Sequence, residues 1–185
     1  MPDEELPHFT CNVVSVTCKS KKKNGENCRN KTQMSLPYCW QHLLSEKKLR
    51  IKESSIPGAG KGLFAVDKNA DDDAIIFHTN DRIVDYVGEK INQETLNNRY
   101  GQYTAPYALE TKVSNPKAYI DPACVRGVGA MANQGTRKKD NNAVLKAYKG
   151  DGYVKAIKPI RNNREIFVDY GAEYQFDEGT RHTTK

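Results

Sequence analysis

From residue 66 onward, apolar residues come in short runs, none longer than about five positions, separated by Gly, Asn, Asp and Pro. That punctuation predicts many short strands rather than helices. Residues 66–80 read as strand, acidic turn (Asp71, Asp72, Asp73) and a second strand at 74–77. Further strands are expected at 82–87, 106–110, 118–120, 143–148, 153–157 and 165–170. Two helices stand apart: a short apolar pattern at 43–49 and a segment at 92–100, with Asn92 placed to cap its start and Gly101 beyond its end. Residues 54–58 form a turn between the halves, and 173–185 read as a loosely held tail. The expected fold is mainly β.

Composition changes this picture little. Hydrophobic residues make up 37% of the 185 and mean hydropathy is −0.78, yet ten tyrosines and five phenylalanines supply the bulk of a core. No apolar run approaches the roughly 20 residues that cross a bilayer, and the acidic start lacks a signal-peptide pattern. Charge matters more. Residues 18–50 hold nine bases and two acids, against three acids and no base in residues 1–17, in a chain of net charge +6. A basic stretch of this kind suits an anionic partner such as nucleic acid or a nucleosome.

The same stretch holds a metal-binding pattern. Cys18, Cys28, Cys39 and His42 are spaced C-x9-C-x10-C-x2-H, and three thiolates with one imidazole suit tetrahedral structural zinc. The polar run between Cys18 and Cys28 cannot build a core, so a metal would supply its fold. Cys11 leaves a different ligand choice open, and Cys124, between Ala123 and Val125, is expected to be a buried apolar thiol.

The remaining motifs are informative in order. Gly58-Ala59-Gly60-Lys61-Gly62 lets the backbone approach a ligand closely but lacks the features of a dinucleotide fingerprint or phosphate loop. Then come Asp85-Tyr86-Val87-Gly88-Glu89, the segment Gly129-Ala130-Met131-Ala132-Asn133-Gln134 with Asn141 and Asn142 after it, and finally Glu165-Ile166-Phe167-Val168-Asp169-Tyr170-Gly171. This ordered set, over about residues 50–174, resembles the SET domain family of protein lysine methyltransferases.

The resemblance implies a pseudoknotted β-clip fold with S-adenosylmethionine on one face and the substrate lysine entering by a channel from the other. It implies a division into a zinc-binding module at 1–45, a SET domain at 46–176 and a tail at 177–185. Position by position, it assigns Ala59, Gly60, Lys61, Tyr107, Asn133, Gln134 and Tyr170 to the cofactor, Tyr86 and Tyr170 to catalysis, and Asn142 to bracing the knot. The implied activity is protein lysine N-methylation, with a histone tail or nucleosome as substrate, nucleic acid contacted through residues 18–50, and a nuclear, otherwise cytoplasmic, setting. The alternative is a catalytically inactive SET fold that binds chromatin or nucleic acid through its zinc segment. The sequence departs from the family at Ala130, Met131 and Gln134, which stand where arginine, an aromatic residue and histidine are common, and at Val168, where Phe or Tyr often limits methylation. No cysteine cluster follows Gly171, leaving Tyr174 and Phe176 as the nearest aromatics to cover the channel.

Overall fold

The computed structural model describes residues 9–101, 105, 107–111 and 116–170. Residues 171–185, with the expected tail and Tyr174 and Phe176, lie outside the described residues. Helix α1 (Trp40–Lys47) starts just after Cys39, buries Leu43 and Leu44, and ends at Lys48 in the left-handed conformation, φ 54°. The chain then runs into β1 (Leu49–Glu53), turns through the glycine-rich segment and returns antiparallel as β2 (Lys61–Ala65). The strand expected to begin at Val66 therefore lies one segment earlier, where the glycines disguise it.

β3 (Ile75–Phe77), β4 (Arg82–Tyr86) and β5 (Glu89–Asn92) follow. Helix α2 (Gln93–Tyr100) forms where expected, because the Asn92 side chain accepts the Thr95 amide at 2.8 Å and Gly101 supplies a positive φ at the end. β6 (Leu109–Glu110) and β7 (Ala118–Asp121) complete a three-stranded sheet in the order β5-β7-β6. A four-stranded sheet takes β8 (Ala143–Tyr148), β9 (Asp151–Ala156) and β11 (Val168–Asp169) in the order β11-β8-β9-β4, while β10 (Ile160–Arg161) pairs with β3.

Within the four-stranded sheet, β11 runs parallel to β8 and the other pairs are antiparallel. The expected continuous strand at 165–170 is thus a two-residue strand plus isolated bridges at Glu165 and Phe167. The reason is that this segment shares its backbone groups among three others. Ile166 donates to the Leu63 carbonyl, Val168 donates to the Asn133 carbonyl, and the Phe167 carbonyl accepts from the amides of Asn142 and Ala143. The closing segment therefore lies threaded between residues 133 and 142, which is the pseudoknot.

One apolar cluster underlies all of this. Leu63, Val128, Val154, Ile160, Ile166 and Val168 are almost wholly buried, and Leu36 and Leu43 of the N-terminal segment join the same cluster beside Leu49. At roughly 1.5–3 kcal/mol for each fully buried large apolar side chain, such burial holds the sheets together. Among the described residues, no buried polar side-chain atom lacks a hydrogen-bond partner.

Candidate active site and metal centre

Cys18, Cys28, Cys39 and His42 converge, with their ligand atoms all within 4.8 Å of one another. The His42 Nδ1 lies 3.5 Å from the Cys18 sulfur and 3.3 Å from that of Cys39. Tetrahedral zinc, with bonds of about 2.3 Å to sulfur and about 2.0 Å to nitrogen, places such atoms about 3.6 Å apart, so the four side chains fit the ion. Thiolate chemistry is prepared on the helix side. Burial pushes the Cys39 thiol up, but hydrogen bonds to the His42 backbone and side chain, Asn30 and Cys18 outweigh it and bring it down to about 6. The Asn30 backbone also favours the Cys28 thiolate, yet burial and the neighbouring Cys18 and Cys39 sulfurs raise that thiol.

Cys11 is not a ligand. It is joined to Cys124 in a disulfide across 113 residues, correcting the expectation of a solitary buried thiol. Residues 9–11 pack against the domain, where the Phe9 ring meets Tyr100 edge-on at 5.6 Å and lies under the Arg99 guanidinium at 4.6 Å. Nothing local in the sequence carries that contact.

The second site is built around the knot. Gly60 has φ +69°, Ala59 donates to the Ile56 carbonyl and the Gly60 carbonyl accepts the Ser54 amide, so the turn is held by its own backbone, with open space where a Gly60 side chain would stand. Glu165 fixes this turn. Its carboxylate accepts Ser54 Oγ at 2.7 Å, the Ser55 amide at 2.7 Å and Ser55 Oγ at 2.6 Å. Asn133 Nδ2 donates to the Lys61 carbonyl at 3.0 Å and to Glu165 at 3.2 Å, which brings Gly60, Lys61 and Asn133 together. A side chain on Gly62 would strike Glu165, so glycine is required by close approach. The Asn142 side chain donates to the Glu165 carbonyl at 2.9 Å and accepts the Phe167 amide at 3.0 Å, holding the threaded segment from the other side.

Two tyrosines meet beyond the knot. Tyr86, only 5% exposed, donates its hydroxyl to the Tyr107 carbonyl at 2.6 Å. The Tyr170 hydroxyl donates to the Ala132 carbonyl at 2.9 Å, and its amide donates to the Gln134 side chain at 3.0 Å. Burial, then neighbouring Tyr170, Asp121 and Tyr107, push the Tyr86 phenol well above its ordinary value, with Arg126 opposing. Tyr86 therefore stays a neutral donor throughout the physiological range. Gln134, at the family's histidine position, has a definite task here: it ties the amide of Tyr170 to the residue after Asn133. Ala130 and Met131 belong to a single turn of 3-10 helix that buries Val128 and Met131 against the core. Val168 is fully buried and does not line an open surface.

Three residues that help build the candidate site escaped the sequence reading. Glu165 is the first residue of the closing motif, and a carboxylate ahead of Ile166 and Phe167 was the available signal. Arg126 lies over the Tyr107 ring at 5.1 Å. Asp121, with no exposure, takes Arg99 at 2.7 Å and the Tyr100 hydroxyl at 2.9 Å, anchoring α2 behind Tyr86.

This architecture has counterparts among solved structures. The methyltransferase domain of human PR domain-containing protein 2 superposes with a TM-score of 0.52 at 18% identity, over 74% of this chain and 87% of that one. A chain of Chaetomium thermophilum Polycomb Repressive Complex 2, in an autoinhibited conformation bound to S-adenosylmethionine, gives 0.51 at 24% identity over 68% of this chain. The same complex with H3K27me3 and H3K27M gives 0.55 at 20% identity over 85% of this chain. This chain spans only 15% and 17% of those Polycomb chains. No protein-family model and no curated protein sequence matches it. The chain has the SET-domain fold, mainly β, with a Cys3His cluster fit to hold a metal at its N-terminal side. No helix among the described residues is long and apolar enough to cross a membrane.

Proposed function

We propose that the protein is an S-adenosylmethionine-dependent protein lysine N-methyltransferase whose substrate is a histone tail, working in the nucleus with zinc as a structural ion. The observation that carries this reading is the clamp of Asn133 on the Lys61 carbonyl and Glu165, beside the threaded Tyr170. The clamp fixes the Ala59–Lys61 turn and leaves the Asn133 Oδ1 without a hydrogen bond among the described residues, an acceptor suited to the ammonium at the methionine end of the cofactor. When bound, S-adenosylmethionine supplies a sulfonium-activated methyl group.

The protein's own contribution is alignment. Direct displacement needs nucleophile and methyl held in line more than it needs acid or base. The Ala132 and Tyr107 carbonyls, each fixed by a tyrosine hydroxyl, and the hydroxyls themselves orient an incoming amine. The buried surroundings of Tyr86 disfavour an ammonium and so help the lysine reach its neutral, nucleophilic form. Tyr107 and the Gln134 backbone complete the cofactor site in this reading. A histone substrate follows the chemistry of the neighbouring folds, one of which was solved with H3K27me3 and H3K27M. We retain the division into a module at 1–45, a catalytic domain at 46–176 and a tail at 177–185, with the first two sharing one core.

Calorimetric titration with S-adenosylmethionine tests the cofactor site. The intact protein should bind in a single-site transition, and Asn133→Ala should weaken binding about tenfold, the loss of roughly one charge-assisted hydrogen bond. A folded protein that takes up no cofactor would refute the proposal.

A further inference from the structure

A cleft of about 440 Å³ lies beside the metal centre, away from the knot, and its walls include Lys21, Lys22, Lys23, Lys68, Trp40 and Glu46. Trp40 is an unusual wall. It is 60% exposed, while Arg50 sits over its ring at 4.7 Å and reaches its carbonyl at 3.5 Å. The cation holds one side of the indole and leaves a flat, rigid aromatic surface facing solvent.

The lysines are displayed as firmly. Residues 21–27 form a tight hairpin, in which Lys22 donates to the Glu26 carbonyl and Lys21 bridges Asn27. Its base is pinned where Cys28 donates to the Ser20 carbonyl at 2.8 Å and the Ser20 hydroxyl donates to Glu46 at 2.9 Å. Glu46 therefore tethers the hairpin to α1 and makes no ion pair among the described residues. Lys22 pairs with exposed Glu26 at 3.1 Å, whereas Lys21, Lys23 and Lys68 have no acidic partner there. The cleft thus combines several uncompensated cations with an open aromatic face.

We propose that this cleft binds single-stranded nucleic acid, with a base stacked on Trp40 and the flanking phosphates on Lys21, Lys23 and Lys68. Cations alone would suit any polyanion. The aromatic face selects among them, because an unpaired base offers a π-surface that a closed duplex and an acidic protein segment do not. The site is independent of the active-site reading.

Trp40 is the only tryptophan of the chain, so its fluorescence reports occupancy directly. The zinc-loaded 185-residue chain is titrated with a 12-nucleotide oligothymidylate, expecting saturable quenching. The logarithm of affinity should fall against that of salt with a slope of about −2, at about −0.7 for each of three phosphates. Lys21→Gln with Lys23→Gln should make that slope shallower by about 1.4 and weaken binding at low salt. Trp40→Ala, followed by anisotropy of a labelled oligonucleotide, should weaken binding about tenfold, within the range of one stacked base, at unchanged zinc content. Absence of quenching overturns the proposal. So does parental affinity in either folded variant, or equal affinity and quenching with a 12-base-pair duplex or with polyglutamate. Lys21 and Lys23 are exposed, so the double variant decides the matter even where Trp40→Ala fails to fold.

Discussion

The metal centre and the knot are ordered by opposite means. The metal centre closes within 25 residues, from Cys18 to His42, around four side chains aimed at one point. The knot closes across more than a hundred, with Ser54 and Ser55 reaching Glu165 at separations of 111 and 110. One is a local staple and the other a convergence of distant segments on a single carboxylate. The difference teaches where each region is vulnerable: the staple to loss of any ligand, the knot to loss of the residue at its crossing. They are nevertheless joined, since Leu36 and Leu43 bury beside Leu49 and Leu63.

The largest break should come from Cys28→Ser. Structural zinc contributes on the order of 10 kcal/mol to small modules, so metal analysis should fall from about one zinc per chain to none. The shared core makes a further outcome specific: the melting temperature of the whole protein should fall as well. An unchanged melt would mean that the two regions fold separately.

Glu165→Ala attacks the other side. It removes the acceptor of Ser54, Ser55 and Asn133 together, half-buried to exposed hydrogen bonds that contribute about 0.5–1.5 kcal/mol each, so denaturant unfolding should show a loss of about 3 kcal/mol. Zinc content should stay at the parental value, which separates the knot from the staple. Leu43→Ala tests the seam between them. It should cost about 2–5 kcal/mol as a buried truncation and lower the stability of both regions in one transition by circular dichroism.

The smallest effect is expected at Lys61. Its ammonium pairs with Glu53 on an exposed strand end, and such pairs contribute about 1 kcal/mol or less. If only its carbonyl serves the site, Lys61→Ala should leave cofactor affinity within about twofold by calorimetry, well short of the Asn133→Ala loss.

The comparison also explains what the sequence could reveal. The Cys3His cluster was legible because its chemistry and spacing are local, as was α2, whose cap and stop lie within ten residues. β8 was legible from its own β-rich run. β5 was not: Glu89–Asn92 holds a single buried apolar residue, Ile91, and becomes a strand only because β7 lies alongside. The closing segment showed its motif but not its form, since its hydrogen bonds go to Leu63, Asn133 and Asn142 rather than to one neighbouring strand. Glu165 was visible as a letter of that motif while its partners, Ser54 and Ser55, looked like an ordinary turn. The link between Cys11 and Cys124 had no local trace at all. For the candidate active site, the residue types were readable as a set, and their convergence required the threaded topology.

The central claim is methyl transfer at Tyr170. The most direct measurement incubates the zinc-loaded protein with methyl-labelled S-adenosylmethionine and core histones, nucleosomes or cell extract, then hydrolyses the labelled product and identifies the methylated amino acid. The account predicts N-methyl-lysine, formed by the parental protein. With Tyr170→Phe it predicts turnover lower by about 10², while stability changes by no more than the roughly 0.5–1.5 kcal/mol of one hydrogen bond. Label on another amino acid, no label with cofactor bound, or a folded Tyr170→Phe protein working at the parental rate would contradict it.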